Sequence, residues 1–271
     1  MVDFALSQLR LRIVLHNFYC AMNFNTNIIE HIGFLNQATV YLMHIPSKTY
    51  RFISNSLALV GDISPTELIN KGFQVAHKAS HPSDSFGNIH FEQLVKETLM
   101  GLSPELRYGL TSCYDYTLYP KLGTEIRILQ RNSFLDFDSS GKPILKLGTI
   151  YNISHLKNTK SQLCKISYSG DNHLFYRHKR GTSDFESLDS PSPIQLKILN
   201  KLVFGYSRNQ IIKDLETDLA TYKGNLIKLE SLFSPKNKLN LASLAHLYGI
   251  GGSATHEQYD MNLMLQKLVI P

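Results

Sequence analysis

An α+β domain followed by an all-α unit of four short helices is the fold class this sequence predicts, and three observations predict it. From Ala38 to Leu156, β-branched and aromatic runs stand on either side of a stretch with helical spacing. From Ser192 to Ile250, apolar residues recur at helical intervals between capping residues and glycines. Between the two, the chain is rich in serine, charge and turn formers, which is linker composition. With 43% apolar and 18% charged residues the chain has globular rather than disordered composition, and 271 residues are enough to bury two cores. The division that follows is an N-terminal helical flank over 1–35, an α+β domain over 36–157 and a linker over 158–191. A helical domain over 192–250 and a tail over 251–271 complete it.

In the α+β domain, Ala38 to Ile45 and Thr49 to Ser54 read as two strands joined at Pro46-Ser47-Lys48. Ser64-Pro65 marks a helix start, a capping residue followed by proline in the first turn. Phe86 to Leu102 is a second helix, with Phe91, Leu94, Val95 and Leu99 near helical spacing. Three strands follow, over Ser112–Tyr119, Glu125–Asp138 and Pro143–Ser154, the last two joined through Asp138-Ser139-Ser140-Gly141. Hairpin, helices and three antiparallel strands make a sheet with helices on one face. In the linker, Ile166, Leu174, Phe175 and Tyr176 could add a strand to it.

The helical unit is the more strongly marked of the two. Ile194, Ile198, Leu199, Leu202 and Val203 form one apolar stripe that Gly205 ends. Ser207 and Gln210 have capping-box spacing, so a second helix starts at Ser207 and runs to about Leu215. Asp218 caps a third, whose Tyr222, Leu226, Leu229 and Phe233 share a face. A fourth extends from Lys238 to Tyr248 and closes at Gly249. Tight connections in this order predict a helix-turn-helix whose third helix lies in the major groove.

The spelling of both parts resembles known families. "TEIRILQRNSFLDFDSSGKPILKLGTIYNISHLK", from Thr124 to Lys157, is similar to the closing strands of a PAS domain, and "HPSD" at His81–Asp84 resembles the motif before a PAS helix. Asn152 stands where that family usually has aspartate. "SPIQLKIL", "FGYSRNQIIKDL" and "TYKGNLIKLESLF" together resemble the LuxR-type helix-turn-helix, with its spacing kept over nearly sixty residues. Gln195 replaces that family's glutamate, Asn225 its histidine, and Leu226 a frequent arginine or polar residue. The resemblance implies a PAS-like sensor controlling a DNA-binding module, a transcriptional regulator acting as a dimer in the cytoplasm.

From Pro193 to Ile250 the chain carries eight basic side chains against four acidic ones, within a formal net charge of +6 for the whole. Such a segment suits a phosphate backbone, and equally a lysine-rich solvated helix face. The candidate DNA-binding residues are Arg208, Ala220, Lys223, Gly224, Ile227 and Lys228. The arginine or asparagine forks that read guanine or adenine edges are missing from the outward face of the third helix, where Ala220, Lys223, Gly224, Ile227, Lys228 and Ser231 stand. A signalling adaptor whose helix-turn-helix contacts protein instead of DNA is therefore the second reading.

Other functions find less support in the sequence. No GxSxG, HExxH, P-loop or GxGxxG motif points to an enzyme, and no catalytic or metal-binding residue is nominated. Cys20, Cys113 and Cys164 lack both CxxC spacing and the motif of photoactive flavin sensors. His77, His81 and His90 are weak candidates for haem ligands, so the ligand or cofactor of the sensor stays unknown. No apolar run is long enough for a membrane span. Ile28, Ile29, Ile32 and Leu35, at helical spacing, are a candidate homodimer contact, or else a helix packed on its own sensor.

Overall fold

The computed structural model describes residues 30, 33–34, 37–59, 63–119, 125–168 and 172–250. Strands β1 (Ala38–His44) and β2 (Thr49–Ile53) form the expected hairpin, with Lys48 taking a positive φ of 54° in the turn. After a 3₁₀ turn at Asn55–Leu59 come four helices: α1 (Pro65–Lys71), α2 (Phe73–Ala79), α3 (Pro82–Gly101) and α4 (Pro104–Arg107). Helices α1, α3 and α4 each place proline in the first turn, where its missing N–H leaves no bond unmade. Helix α3 begins four residues before the expected Phe86, because the His81 ring accepts the Ser83 amide at 3.1 Å and caps it. Helix α2 was not expected, since its seven residues bury none of their own side chains fully and leave no apolar stripe to read.

Strands β3 (Thr111–Leu118), β4 (Ile126–Phe137) and β5 (Pro143–Asn152) follow as expected. The β4–β5 turn is held by Asp138, whose Oδ1 accepts the amides of Ser140 and Lys142 at 2.8 and 2.9 Å. The segment 158–191, expected to be a linker, instead supplies β6 (Gln162–Tyr168), β7 (Asn172–His178) and β8 (Phe185–Leu188). Its serines and glycines mark the ends of hairpins, while Leu163, Cys164, Ile166 and Phe175 are buried in the sheet. All eight strands are antiparallel neighbours in the order β2-β1-β5-β4-β3-β6-β7-β8. The first five, with the helices between β2 and β3, fit a PAS-like fold.

Helix α3 buries Phe91, Val95 and Leu99 against Tyr114, Tyr116 and Leu118 of β3, Ile128 of β4 and Ile166 of β6. Each of these fully buried apolar side chains stabilises the fold by roughly 1.5–3 kcal/mol relative to exposure. A second cluster joins Tyr41 and Met43 of β1 to Tyr50, Ile53, Leu57 and Leu68. Gly148 of β5 sits directly across from Tyr41, and a Cβ there would collide with the tyrosine ring. The glycine therefore lets Tyr41 lie flat along the sheet with its hydroxyl turned inward.

The described chain divides into two units. The first holds the residues up to Ser154 and then Lys160–Asp189. The second holds the residues from Ser190 onward together with the short strip His155–Thr159. Its helices are α5 (Pro193–Val203), α6 (Arg208–Asp214), α7 (Leu219–Phe233) and α8 (Lys238–Leu247). Ser192 with Gln195 and Ser207 with Gln210 both form complete capping boxes, which satisfy amides that no helix carbonyl can reach. Gly205 and Gly249, at φ 78° and 68°, follow α5 and α8 where the left-handed conformation ends a helix cheaply. The strip hydrogen-bonds to the α7–α8 connection: the Asn158 amide donates to the Ser234 carbonyl at 2.9 Å and the Lys236 amide to the Leu156 carbonyl at 2.8 Å. The expected dimer residues Ile28, Ile29, Ile32 and Leu35, and the tail 251–271, lie outside the described residues.

Candidate functional site

Helices α6 and α7 are joined by a turn of four residues, Leu215 to Asp218. Glu216 takes a φ of 48° there, and the amides of Glu216 and Thr217 bond back to Lys213 and Ile212 at 3.2 and 3.1 Å. Asp218 then starts α7, accepting the Thr221 amide at 2.7 Å and the Thr221 hydroxyl at 2.9 Å. These bonds, led by the Thr221 amide, hold the Asp218 carboxyl below its usual pKa. The beginning of α7 is thus fixed by three local devices: a capping box behind it, a positive-φ turn and a charged cap.

Helix α7 buries Tyr222, Leu226, Leu229 and Phe233. Leu226, at 4% exposure, belongs to the core of the unit. On the opposite side, Ala220, Lys223, Gly224, Ile227, Lys228 and Ser231 are all exposed, Ile227 by 65%. Asn225 turns back on its own helix and donates to the Thr221 carbonyl at 2.9 Å. Arg208, the first residue of α6, is exposed. Burial raises the Tyr222 pKa and the Arg208 charge opposes the rise, so the guanidinium acts on the base of α7. Lys201 is already engaged, 2.9 Å from Asp214 and over the Tyr206 ring. A β-carbon added at Gly224 would have nothing within 4 Å. Packing does not require this glycine, which weakens a helix interior by roughly 0.5–1 kcal/mol relative to alanine.

The first unit contains a cavity of about 40 Å³ between sheet and helices. Space of that size holds roughly three water molecules. Met43, Ile53, Leu57, Leu68, Phe73 and Leu118 are among its apolar lining, with Thr39, Tyr41, Tyr116, Gln130 and Lys146 supplying the polar part. Gln130 accepts from the Tyr116 hydroxyl at 2.8 Å and donates to that of Tyr41 at 2.8 Å, and Tyr41 in turn donates to Asn132 at 2.6 Å. Burial pushes the Tyr41 and Tyr116 hydroxyls well above the ordinary phenol range, so both act as neutral donors. Lys146 lies 3.7 Å from Glu92, which also accepts the Tyr114 hydroxyl at 2.7 Å. The Thr39 hydroxyl is buried without a hydrogen-bond partner. A buried hydroxyl in that state costs about 1–3 kcal/mol, and a polar atom in the cavity would recover it.

Sequence reasoning did not find these cavity residues. The available signal was phase: Ile128, Gln130 and Asn132 alternate along β4, so polar side chains occupy the face that the neighbouring residues make apolar. Of the histidines weighed as haem ligands, His81 caps α3, His77 stacks on Phe73 and His90 lies 3.8 Å from the Phe185 ring. None of the three is among the cavity's described lining. Burial raises the Cys113 thiol to about 12, which makes it a poor nucleophile. Among the described residues no cluster of histidine, cysteine and carboxylate could hold a metal, and no helix is long and apolar enough to cross a membrane.

A buried charge cluster ties β3, β4 and the residues just before β6 together in the same unit. Arg127 pairs with Asp115 and, at 3.4 Å, with Asp84. It also donates to the carbonyls of Lys160 and Ser161 at 3.2 and 2.8 Å. Arg180 lies 3.2 Å from the other oxygen of Asp84 and reaches Glu125 at 3.3 Å. Arg180 is also the main reason that the Glu125 carboxyl stays below its usual pKa.

The fold defines a two-unit protein with a PAS-like α+β part and a capped four-helix part. No family model matches the sequence, and no curated protein does. Among solved structures, the N-terminal domain of a diguanylate cyclase with a PAS/PAC sensor from Marinobacter aquaeolei aligns with a TM-score of 0.36 and 15% identity, over 43% of this chain and 95% of that one. VqmA of Vibrio cholerae in complex with a ligand and DNA aligns at 0.30 and 12%, over 80% and 85%. The same protein as a dimer in the absence of its target DNA aligns at 0.30 and 15%, over 82% and 88%.

Proposed function

We propose that the chain is a transcriptional regulator in which the PAS-like unit senses a small ligand and controls a LuxR-type helix-turn-helix made by α6 and α7. The observation that carries this reading is the exposed face of α7, where Ala220, Lys223, Gly224, Ile227 and Lys228 stand on a helix fixed by its cap and turn. Arg208, Lys223 and Lys228 supply phosphate contacts, which position a module on the duplex, while the side chains between them face the base edges. The cavity and its unpartnered Thr39 hydroxyl support the sensing half. Two copies acting as a homodimer would match a two-fold symmetric site and gain from effective concentration.

Titrating the purified full chain onto random-sequence duplex DNA while salt is raised tests the reading. Affinity falls steeply with salt, and the Lys223→Ala, Lys228→Ala double variant lowers the logarithmic slope by about two. A folded protein that does not bind at low salt overturns the proposal. It would leave the exposed Ile227 and Leu219 as contacts for a protein partner, the adaptor reading.

A further inference from the structure

We infer that α7 reads thymine methyl groups and so selects A·T-rich sites, with Ala220 and Ile227 as the reading residues and Gly224 as the point where its backbone closes on the groove. This rests on the DNA-binding reading above and adds to it what the helix recognises. At 3.6 residues per turn, Ala220, Gly224, Ile227 and Ser231 fall on one narrow central strip, and Lys223 and Lys228 fall on opposite sides of it. All six are exposed. The strip has the form of a groove reader: small or apolar in the middle, with one cation facing each wall.

The chemistry of the strip excludes most base contacts. Bidentate readout of guanine needs arginine or lysine, adenine needs asparagine or glutamine, and cytosine needs a carboxylate. No such group stands on the centre line. Asn225 is bonded to the Thr221 carbonyl, and Asp218 is occupied in capping. Ser231 can bond to more than one base and discriminates little. What remains is apolar contact, which in the major groove has one target, the C5 methyl of thymine. Ile227, 65% exposed, is placed to cover such a methyl, and Ala220, about two turns earlier, to cover another.

Gly224 supplies an independent argument. It lies between the two reading residues on the strip, lowers helix stability, and would meet nothing within 4 Å if it carried a β-carbon. Its use is then outside the fold: glycine permits a close backbone approach to a ligand. An alanine there would hold α7 away from the bases while leaving the helix intact.

The test starts with the full chain and a pool of random duplexes, from which bound sequences are selected and read. Enrichment of A·T-rich sites is expected. Replacing thymine by uracil at the enriched positions removes the methyl alone and lowers affinity about fourfold per contacted methyl. In Ile227→Ala the thymine and uracil duplexes bind more nearly alike. Gly224→Ala folds at least as stably as the parent but loses the selected site while keeping salt-dependent binding to random DNA. G·C-rich selected sites, or equal affinity for thymine and uracil duplexes, overturn methyl readout and leave DNA binding standing. Parent-like site affinity in Gly224→Ala overturns the close approach. Absence of any duplex binding by the folded chain overturns both proposals.

Discussion

The two units bury different kinds of atoms. In the PAS-like unit Asp84, Asp115, Arg127, Gln130, Asn132 and Lys146 are all buried alongside the apolar core. In the other unit, Lys157 of the strip His155–Thr159 and Gln195 are the buried polar residues among those described, and the Gln195 side chain completes a capping box. A core of leucine, isoleucine and aromatic rings needs only matching volume. A core with charges inside it needs every partner in place, since a buried ion that loses its counter-ion has no water to turn to.

The sharpest way to break this contrast is Arg127→Ala, which strands Asp115 and leaves Asp84 with the Arg180 charge alone. Breaking a buried pair costs about 3–5 kcal/mol, read as a lowered urea midpoint for the PAS-like unit. A loss below about 1 kcal/mol, the range of a surface pair, would mean that water reaches these carboxylates and that the two interiors are alike.

Lys165, 4% exposed on β6, gives a subtler difference. Burial lowers its pKa to about 8 in the folded protein. The unfolded chain therefore binds the proton more tightly, and stability rises with pH between about 8 and the ordinary lysine value. Lys165→Met is expected to be more stable than the parent at neutral pH, the gap closing as pH climbs through that window. A gap that stays constant in urea unfolding at pH 7, 9 and 10 would show an unperturbed lysine.

In the helical unit the effects are smaller and local. Ser207→Ala removes the cap of α6 and costs about 1 kcal/mol in that unit alone. Asp218 acts in the same pH direction as Lys165, but at the acid end of the scale. Its carboxyl is held below its usual pKa, so its stabilisation is present above the unfolded value and lost as pH falls through the folded one. Asp218→Asn flattens this acid limb in a circular-dichroism titration, and an unchanged limb would mean that the Thr221 bonds do not form in solution.

The same contrast governs how far each unit could be read beforehand. Ser192, Ser207 and Asp218 announce helix starts within three residues of themselves, and the stripe Tyr222–Leu226–Leu229–Phe233 declares which side of α7 is buried. The exposed face follows by subtraction, so the candidate residues of α7 share one face. In the PAS-like unit the decisive relations are distant in sequence. Tyr41 meets Asn132, and Arg127 meets Asp84, Lys160 and Ser161. No local pattern pairs them. Strands β6 to β8 were obscured for a related reason: Gln162, Lys165 and His178 are buried polar residues, and they gave the segment the composition of a linker. Gln162 and His178 bond to each other at 2.6 Å across two strands, a partnership visible only once the register is known.

The strip His155–Thr159 sits, in chain order, between β5 and β6, yet belongs with the helices that come later. A gene fragment starting at Ser190 would therefore encode the helical unit with a piece missing: the Ser234 carbonyl and the Lys236 amide would lose their backbone partners. Such a module could not be transplanted as a C-terminal cassette onto another sensor. Recombination that exchanges it must bring along five residues from inside the neighbouring sheet's sequence, which ties the inheritance of the two units together.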